Sequence, residues 1–331
     1  MPRMNLGLPY NHCSLPSGCL AGFQSANLLQ CAGCHVIKYC GKPHQKADWR
    51  RHKVQCVVIK QQREKLAAEE TKLRTEPDRD TNGENPFDTI VGKFWFFKST
   101  RPYMSARFDL MSAILNVRTG EAVQAALDHA LDMIRLCRGD NQDVRSHVPA
   151  LHLRLGNDQE AYDFIKCLPF LDLHEQDAFE PVFEKTHYCN VSFTVALTLI
   201  KIRLMQDLDS LHAFVLRTPG ASGEARYDHL QKEAMSNILL QRPDIVAQEN
   251  YLELMTQLRA QTMQLYKKVK KDNPHFWPGV LNPNLFAYDV PTGYIPGSRE
   301  EAILIFRHSW YSWSETQPAI QYIRGVISND M

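Results

Sequence analysis

The chain has 331 residues, 44% of them hydrophobic and 23% charged, a composition with enough apolar surface for one to three packed domains. Its 38 Lys and Arg nearly cancel 37 Asp and Glu, which excludes polyelectrolyte binding as a property of the whole chain. That balance conceals a split: residues 38–74 hold 11 basic and 4 acidic side chains, a net of +7, and the rest of the chain carries −6. No stretch approaches the ~20 consecutive apolar residues of a spanning helix. The opening residues are too short and too interrupted, by Asn5, Gly7 and Pro9, to form a secretory signal core. An intracellular chain is expected, nuclear or cytoplasmic, in a reducing compartment where clustered cysteines indicate metal rather than disulfides.

Six of the nine cysteines lie between residues 13 and 56, with His44 and His52 among them. Residues 4–37 carry no Asp, Glu, Lys or Arg and are rich in Ser, Asn, Gln and Gly, so they read as loop. A stretch this short with so few large aliphatics cannot bury enough surface to order itself, and metal is the available stabiliser. Cys31-Ala-Gly-Cys34 is a tight C-x-x-C knuckle in which Gly33 is expected to take a turn that a side chain resists. His52 and Cys56 are four apart and face the same way on a helix. Together these four form a Cys₃His set suited to tetrahedral zinc. A second set starts from Cys40 and His44, again with three residues between them, and is completed by Cys13 and Cys19. The sets alternate along the chain, so two interleaved zinc ions would cross-brace one small domain. His35 and His12 are expected at turns or facing solvent, with His12 as the substitute should Cys13 fail to reach. Cys137, Cys167 and Cys189, scattered through apolar helical segments, read as buried core thiols.

The run from Cys31 to Cys56, with Tyr39 before Cys40, Gln45 after His44 and Trp49 before His52, closely resembles the MYND-type zinc finger. By that resemblance one zinc sits on Cys13, Cys19, Cys40 and His44, and the other on Cys31, Cys34, His52 and Cys56. Two features depart from the family pattern: His44 stands where Cys is usual, and five residues rather than two separate Cys13 from Cys19. The finger covers about a sixth of the chain. The resemblance also implies a surface for short proline-rich peptides, with Gln45 and Trp49 on it. A Trp edge beside ordered backbone suits a polyproline-type segment, which loses little entropy on binding. The other role open to Trp49 is packing against the zinc knuckles.

This reading divides the chain into a MYND-type finger (1–57), a basic helix (58–74), a linker (75–86) and an α-helical interaction domain (87–331). The basic helix, rich in Lys, Gln, Glu, Leu and Ala, is expected to continue a helix begun near Gln45 and to be solvated, since no apolar stripe is sustained. Nucleic-acid contact through its charge is the competing use, disfavoured by the near absence of aromatics for base stacking. The linker holds two prolines, a glycine and no large apolar residue.

Beyond residue 87 the apolar period is helical. Phe193, Leu197, Ile200, Leu204, Leu208 and Leu211 mark one face, and Leu252, Met255, Leu258, Thr262, Leu265 and Val269 another. Residues 119–162 run helix, turn at Asp140-Asn141, helix, turn at Gly156, helix, which resembles tetratricopeptide-like hairpins, units that stack to bury shared faces. The chain as a whole is similar to fungal MYND-finger proteins with such a helical region. The cluster Trp310-Tyr311-Ser-Trp313 is expected in the core of a C-terminal helix.

The enzyme alternative is a SET-and-MYND protein lysine methyltransferase. Tyr10-Asn11-His12-Cys13 echoes that family's Asn-His-Ser-Cys knot, but before the finger instead of after it, and no Gly-rich donor motif or strand-rich half follows. Phosphate-cradling and dinucleotide glycine motifs are also missing, and four-ligand zinc sets leave no open position for catalysis. The expectation is therefore a non-enzymatic adaptor holding two zinc ions and a proline-rich partner, with no membrane or nucleic-acid ligand; a nucleic-acid-binding transcriptional regulator is the other alternative.

Overall fold

The structure, a computed structural model, describes residues 12–15, 19, 28–75, 83–166, 177–182, 190–286 and 290–330. Among the described residues it has thirteen α-helices and one two-stranded sheet, in two compact units, Leu8–Leu151 and His152–Met331.

The first unit begins with a small antiparallel hairpin. Strand β1 (Leu29–Gln30) pairs with β2 (Lys38–Tyr39), Leu29 opposite Tyr39 and Gln30 opposite Lys38. Helix α1 (Lys42–Thr75) follows, 34 residues that merge the end of the finger and the expected basic helix into one rod, about 50 Å long at 1.5 Å per residue. It is not a solvated helix. His52, Ile59, Leu66 and Leu73 recur every seven residues, and all are buried, together with Cys56. A seven-residue repeat keeps one narrow edge turned toward the same neighbour along a helix. Along the later part of the row that neighbour is α3 (Arg101–Leu115), while His52 is turned to Cys34 and Tyr39 of the finger. One apolar residue every two turns is too sparse to register as an apolar stripe, which is why the sequence reading missed it. Lys65 donates to Asp109 at 2.8 Å, so part of the basic character is spent on an ion pair with α3.

Residues 76–82 of the expected linker lie outside the described residues. Its last positions form a capped turn: the Asn85 side chain accepts from Phe87 N to start α2 (Pro86–Thr89), with Pro86 at the first helical position, where its missing N–H costs nothing. Phe87 then packs with Phe94 and Tyr103, ring centroids 5.1–6.1 Å apart. Helix α4 (Gly120–Leu136) lies against α3, and its cap Thr119 both accepts from Ala122 N and donates to Val36 O in the finger at 2.7 Å. Glu121 in its first turn pairs with Lys38 of β2 at 3.2 Å. The finger therefore belongs to the same compact unit as α1, α3 and α4, whereas the sequence suggested a module on a tether.

Helix α5 (Val148–Arg154) contains the boundary between the units. The order α4, turn, α5, Gly156 turn (φ 73°), α6 (Asp158–Lys166) follows the expected succession of elements. In the second unit α7 (Val191–Arg217) is buried almost all round, as a helix apolar on every side must be. Helices α6, α8 (Gly223–Glu233), α10 (Leu252–Asp272), α12 (Arg299–Ser314) and α13 (Gln317–Asp330) pack on it. Both predicted faces are buried apart from Leu252, which is 53% exposed. Trp313 is fully buried against Trp277, whereas Trp310 and Tyr311 are half-buried, so of the aromatic cluster only Trp313 lies in the core and Trp310 packs at its edge. Short helices α9 (Pro243–Val246) and α11 (Phe276–Leu281) complete the unit.

Polar anchoring is concentrated on α7. The Arg203 guanidinium, wholly buried, pairs with buried Asp158 at 3.1 Å and donates to Thr316 Oγ1, Leu153 O and Ser312 O. Burial pushes the Asp207 carboxyl up to about 7, although the amides of Met235 and Ser236 donate to it. Cys137 is buried, as expected of a core thiol; Cys167 and Cys189 lie outside the described residues. No helix among the described residues is long and apolar enough to cross a membrane.

Candidate metal centre

The hairpin and the start of α1 bring together two sets of ligand atoms. Cys13, Cys19, Cys40 and His44 form one, and Cys31, Cys34, His52 and Cys56 the other, each with its ligand atoms within 4.8 Å of one another. All eight sequence-predicted ligands are thus placed in the predicted groups. The long Cys13–Cys19 spacing still lets both thiols arrive, Cys13 buried and Cys19 half-buried, so His12 is not needed as a substitute.

Zinc bonds of ~2.3 Å to sulfur and ~2.0 Å to nitrogen imply tetrahedral edges of about 3.5–3.8 Å. The second set closely approaches this: Cys31 Sγ to Cys56 Sγ is 3.6 Å, and Cys34 Sγ to His52 Nε2 is 3.3 Å. In the first set Cys19 Sγ to Cys40 Sγ and Cys13 Sγ to His44 Nδ1 are both 3.4 Å, with Cys40 Sγ to His44 Nδ1 tighter at 2.9 Å. The two imidazoles offer different nitrogens, Nδ1 from His44 and Nε2 from His52. Sulfur-rich sets of four with these edges fit zinc, and none is left open.

The electrostatics suit a cation, because the thiols can ionise together only with positive charge beside them. Burial, aided by the neighbouring Cys31 and Cys56 sulfurs, pushes the Cys34 thiol up to about 12. The Cys19 hydrogen bond pushes Cys40 up to about 11. Burial would also raise Cys31, but the amides of Cys34 and Gly33 outweigh it and hold that thiol down. Several thiols this close cannot all ionise unless positive charge lies between them, and zinc supplies that charge when bound. Burial depresses His52, keeping the imidazole neutral and able to ligate.

Two local devices shape the second set. The knuckle closes through Cys31 N to Ile37 O and His35 N to Cys31 O, both 2.9 Å. The left-handed residue of that turn is His35 (φ 61°), not Gly33. Gly33 is required for another reason: a Cβ there would lie 2.7 Å from Cys56 Sγ. His35 is exposed as expected, its ring near Ala32 O and Arg63, and Arg63 also donates to Cys34 O at 2.9 Å. The other device is a relay behind His52. Its Nδ1 lies 3.0 Å from Tyr39 Oη, which donates to buried Asp48 at 2.7 Å. Asp48 is in turn gripped by Arg51, which reaches Ser14 O. Such a partner fixes which nitrogen of a ligating histidine faces the metal. Sequence reading noted Tyr39 as part of a pattern but missed Asp48; an acidic residue four before His52, on the same helix edge, was the available signal.

Gln45 and Trp49 sit in the first turns of α1. Trp49 is 41% exposed, with its ring edge-on to His52 at 5.9 Å between centroids. The indole thus packs against a zinc ligand, the structural role expected of it, and is partly open to solvent.

A cross-braced zinc-binding finger set on a helical body is the class these observations define. Residues 12–56 match the family described as MYND finger. Over 49 residues the chain is 37% identical to "Histone-lysine N-methyltransferase ASHR1" of Arabidopsis thaliana, a match covering 15% of this chain and 10% of that protein. The chain thus aligns with about a tenth of that relative's length, and no solved structure matches it.

Proposed function

We propose that the protein is a non-enzymatic adaptor: its MYND finger docks a short proline-rich peptide on the Gln45–Trp49 face, and its helical region holds a second partner. The observation carrying this reading is the exposed indole of Trp49 fixed against His52. A ring seated on a metal ligand is ordered before any peptide arrives, and preorganisation lowers the entropy lost on binding. The succession of helices and turns over residues 119–162 is read as tetratricopeptide-like. Thiolate zinc ligands suit an intracellular, reducing compartment. Trp49→Ala is expected to weaken binding of proline-rich peptides at least ~10-fold while zinc content and helicity stay unchanged. Loss of zinc or helicity instead would assign Trp49 to structure alone.

The similarity to a histone-lysine methyltransferase supports a second reading, methyl transfer. It rests on the finger region only. Calorimetric titration with S-adenosylmethionine tests it: heat of binding at one site per chain would favour the enzyme.

A further inference from the structure

The first unit carries an aromatic turn that the finger does not use. Residues 93–98 read Lys-Phe-Trp-Phe-Phe-Lys, and a single 3₁₀ turn (Phe94–Phe96) divides the rings between two environments. Phe94 is wholly buried, packed on Phe87 and Tyr103 at 5.2 and 6.1 Å between centroids. Phe96 is turned out: at 80% it is the most exposed large hydrophobic among the described residues, with Phe97 edge-on to it at 5.4 Å. Trp95 and Phe97 are half-buried, so Phe96 forms a tip and its neighbours the shoulders. One exposed ring is ordinary by itself; what distinguishes this one is how it is held and what surrounds it.

The turn is fixed from behind. Lys93 N donates to Ile90 O at 3.0 Å and Phe96 N to Lys93 O at 2.9 Å. The buried Thr100 hydroxyl lies against Phe94 O and, at 3.0 Å, Phe97 O. Arg101 Nε donates to Trp95 O at 2.9 Å, and its guanidinium lies over the indole, 5.7 Å from the centroid. With these backbone groups engaged, the tip can leave water without stranding them unpaired.

Positive charge surrounds the tip. Residues 89–108 contain Lys93, Lys98, Arg101 and Arg107 and no Asp or Glu. Lys93 and Lys98, one on each side of the rings, are exposed, and among the described residues no carboxylate pairs with either. Exposed Arg138 joins them from just beyond α4: its amide donates to Gly92 O at 2.9 Å, and its side chain lies across Gly92, where a Cβ would stand 3.3 Å from Nε. The acids nearest in sequence are turned to other partners, Asp88 to Asn85 Nδ2 at 2.7 Å and Asp140 to the amides of Val144 and Arg145.

We propose that this turn docks on an anionic membrane surface, with Phe96 inserted at the acyl boundary and Lys93, Lys98 and Arg138 on the headgroups. An anionic bilayer complements both parts of the patch, the ring and the cations around it. A hydrophobic protein groove would take the ring but leave the cations unmatched, and a nucleic-acid backbone would pair the cations but leave Phe96 in water. Sequence reading set a membrane aside for want of a spanning helix, and a surface contact needs none. One ring and three cations make the attachment reversible, as single anchors are. The contact does not depend on the Gln45–Trp49 face.

The test is co-sedimentation of the full-length zinc-loaded protein with vesicles of phosphatidylcholine alone and of equal parts phosphatidylcholine and phosphatidylserine, at low and high salt. The wild type is expected to bind the mixed vesicles at least ~10-fold more tightly than the neutral ones, and to lose most of that binding at high salt. Phe96→Ser is expected to weaken it at least ~10-fold, and Lys93→Glu with Lys98→Glu by as much. All three positions are exposed, so these variants keep the fold, with zinc content and circular dichroism as checks. Phe96→Trp is expected to bind as the wild type does and to add indole emission that shifts to shorter wavelength on mixed vesicles and is quenched by brominated lipid. A wild type that does not bind the mixed vesicles would overturn the proposal. So would binding that Phe96→Ser leaves unchanged, since that is adsorption through cations alone, or a Phe96→Trp emission that mixed vesicles do not move.

Discussion

Gly33→Ala offers a sharp test of how the second ligand set is built. The added Cβ would meet Cys56 Sγ at 2.7 Å, about 0.7 Å inside ordinary contact, whereas metal–ligand distances tolerate only ~0.2 Å. The sulfur must retreat or the knuckle must open, and either removes a ligand from tetrahedral reach. Zinc affinity at Cys31, Cys34, His52 and Cys56 is expected to fall by at least ~100-fold, about 2.7 kcal/mol, while the other set keeps its ion. Gly41→Ala is the matched control, since its Cβ would meet only Pro43 Cδ at 3.4 Å, an ordinary contact. Zinc per chain by elemental analysis after competition with a chromogenic chelator reads the result: close to two for the wild type and Gly41→Ala, close to one for Gly33→Ala. A Gly33→Ala protein that retains both ions with unchanged affinity would refute the steric argument.

Three further outcomes can be checked alongside. Tyr39→Phe removes the hydroxyl between His52 Nδ1 and Asp48 and is expected to lower zinc affinity at the same set by ~10–100-fold, read by the same chelator competition. Leu66→Ala, in the buried seam of α1, is expected to cost ~2–5 kcal/mol in urea unfolding, whereas Val54→Ala on the open face, 67% exposed, stays within ~0.5 kcal/mol. Burial holds His147 and His152 down to about 4, so both are neutral when folded and take up protons on unfolding below ~6.5. Stability is therefore expected to fall as pH drops from ~6.5 to ~4, by up to ~1.4 kcal/mol per pH unit for each histidine. Thermal melts across that range should be flatter in His147→Gln and His152→Gln than in the wild type.

The zinc ligands were legible because metal chemistry restricts residue type and spacing together; Cys31, Cys34, His52 and Cys56 could be grouped without a fold. The long apolar faces of α7 and α10 were legible for a similar reason, since dense helical periodicity survives the loss of context. What escaped depends on neighbours supplied by tertiary structure. Ile59, Leu66 and Leu73 look like isolated aliphatics until α3 is laid along them. Gly33 reads as a turn glycine, yet the constraint comes from a cysteine twenty-three residues later. Asp48 looks like one more surface charge on a basic helix until Tyr39 and Arg51 close around it. The bonds from Thr119 and Glu121 to the hairpin join residues more than eighty positions apart, beyond any local pattern.

His52 connects these levels. It belongs at once to a ligand set, to the buried seven-residue row of α1, to the Tyr39–Asp48 relay and to the edge on which Trp49 rests. Holding its Nε2 at the metal fixes the rotation of α1 about its axis, and that rotation decides which residues meet α3. The same constraint keeps the indole standing at a set angle on the outer side of the helix. Removing zinc would thus release the register of the ring before it released the helix, because Ile59, Leu66 and Leu73 remain seated further along. On the docking function proposed above, a peptide face built on such a ring would depend on the metal for its geometry rather than for its chemistry, so that a closed, four-ligand zinc site would govern binding without touching the peptide.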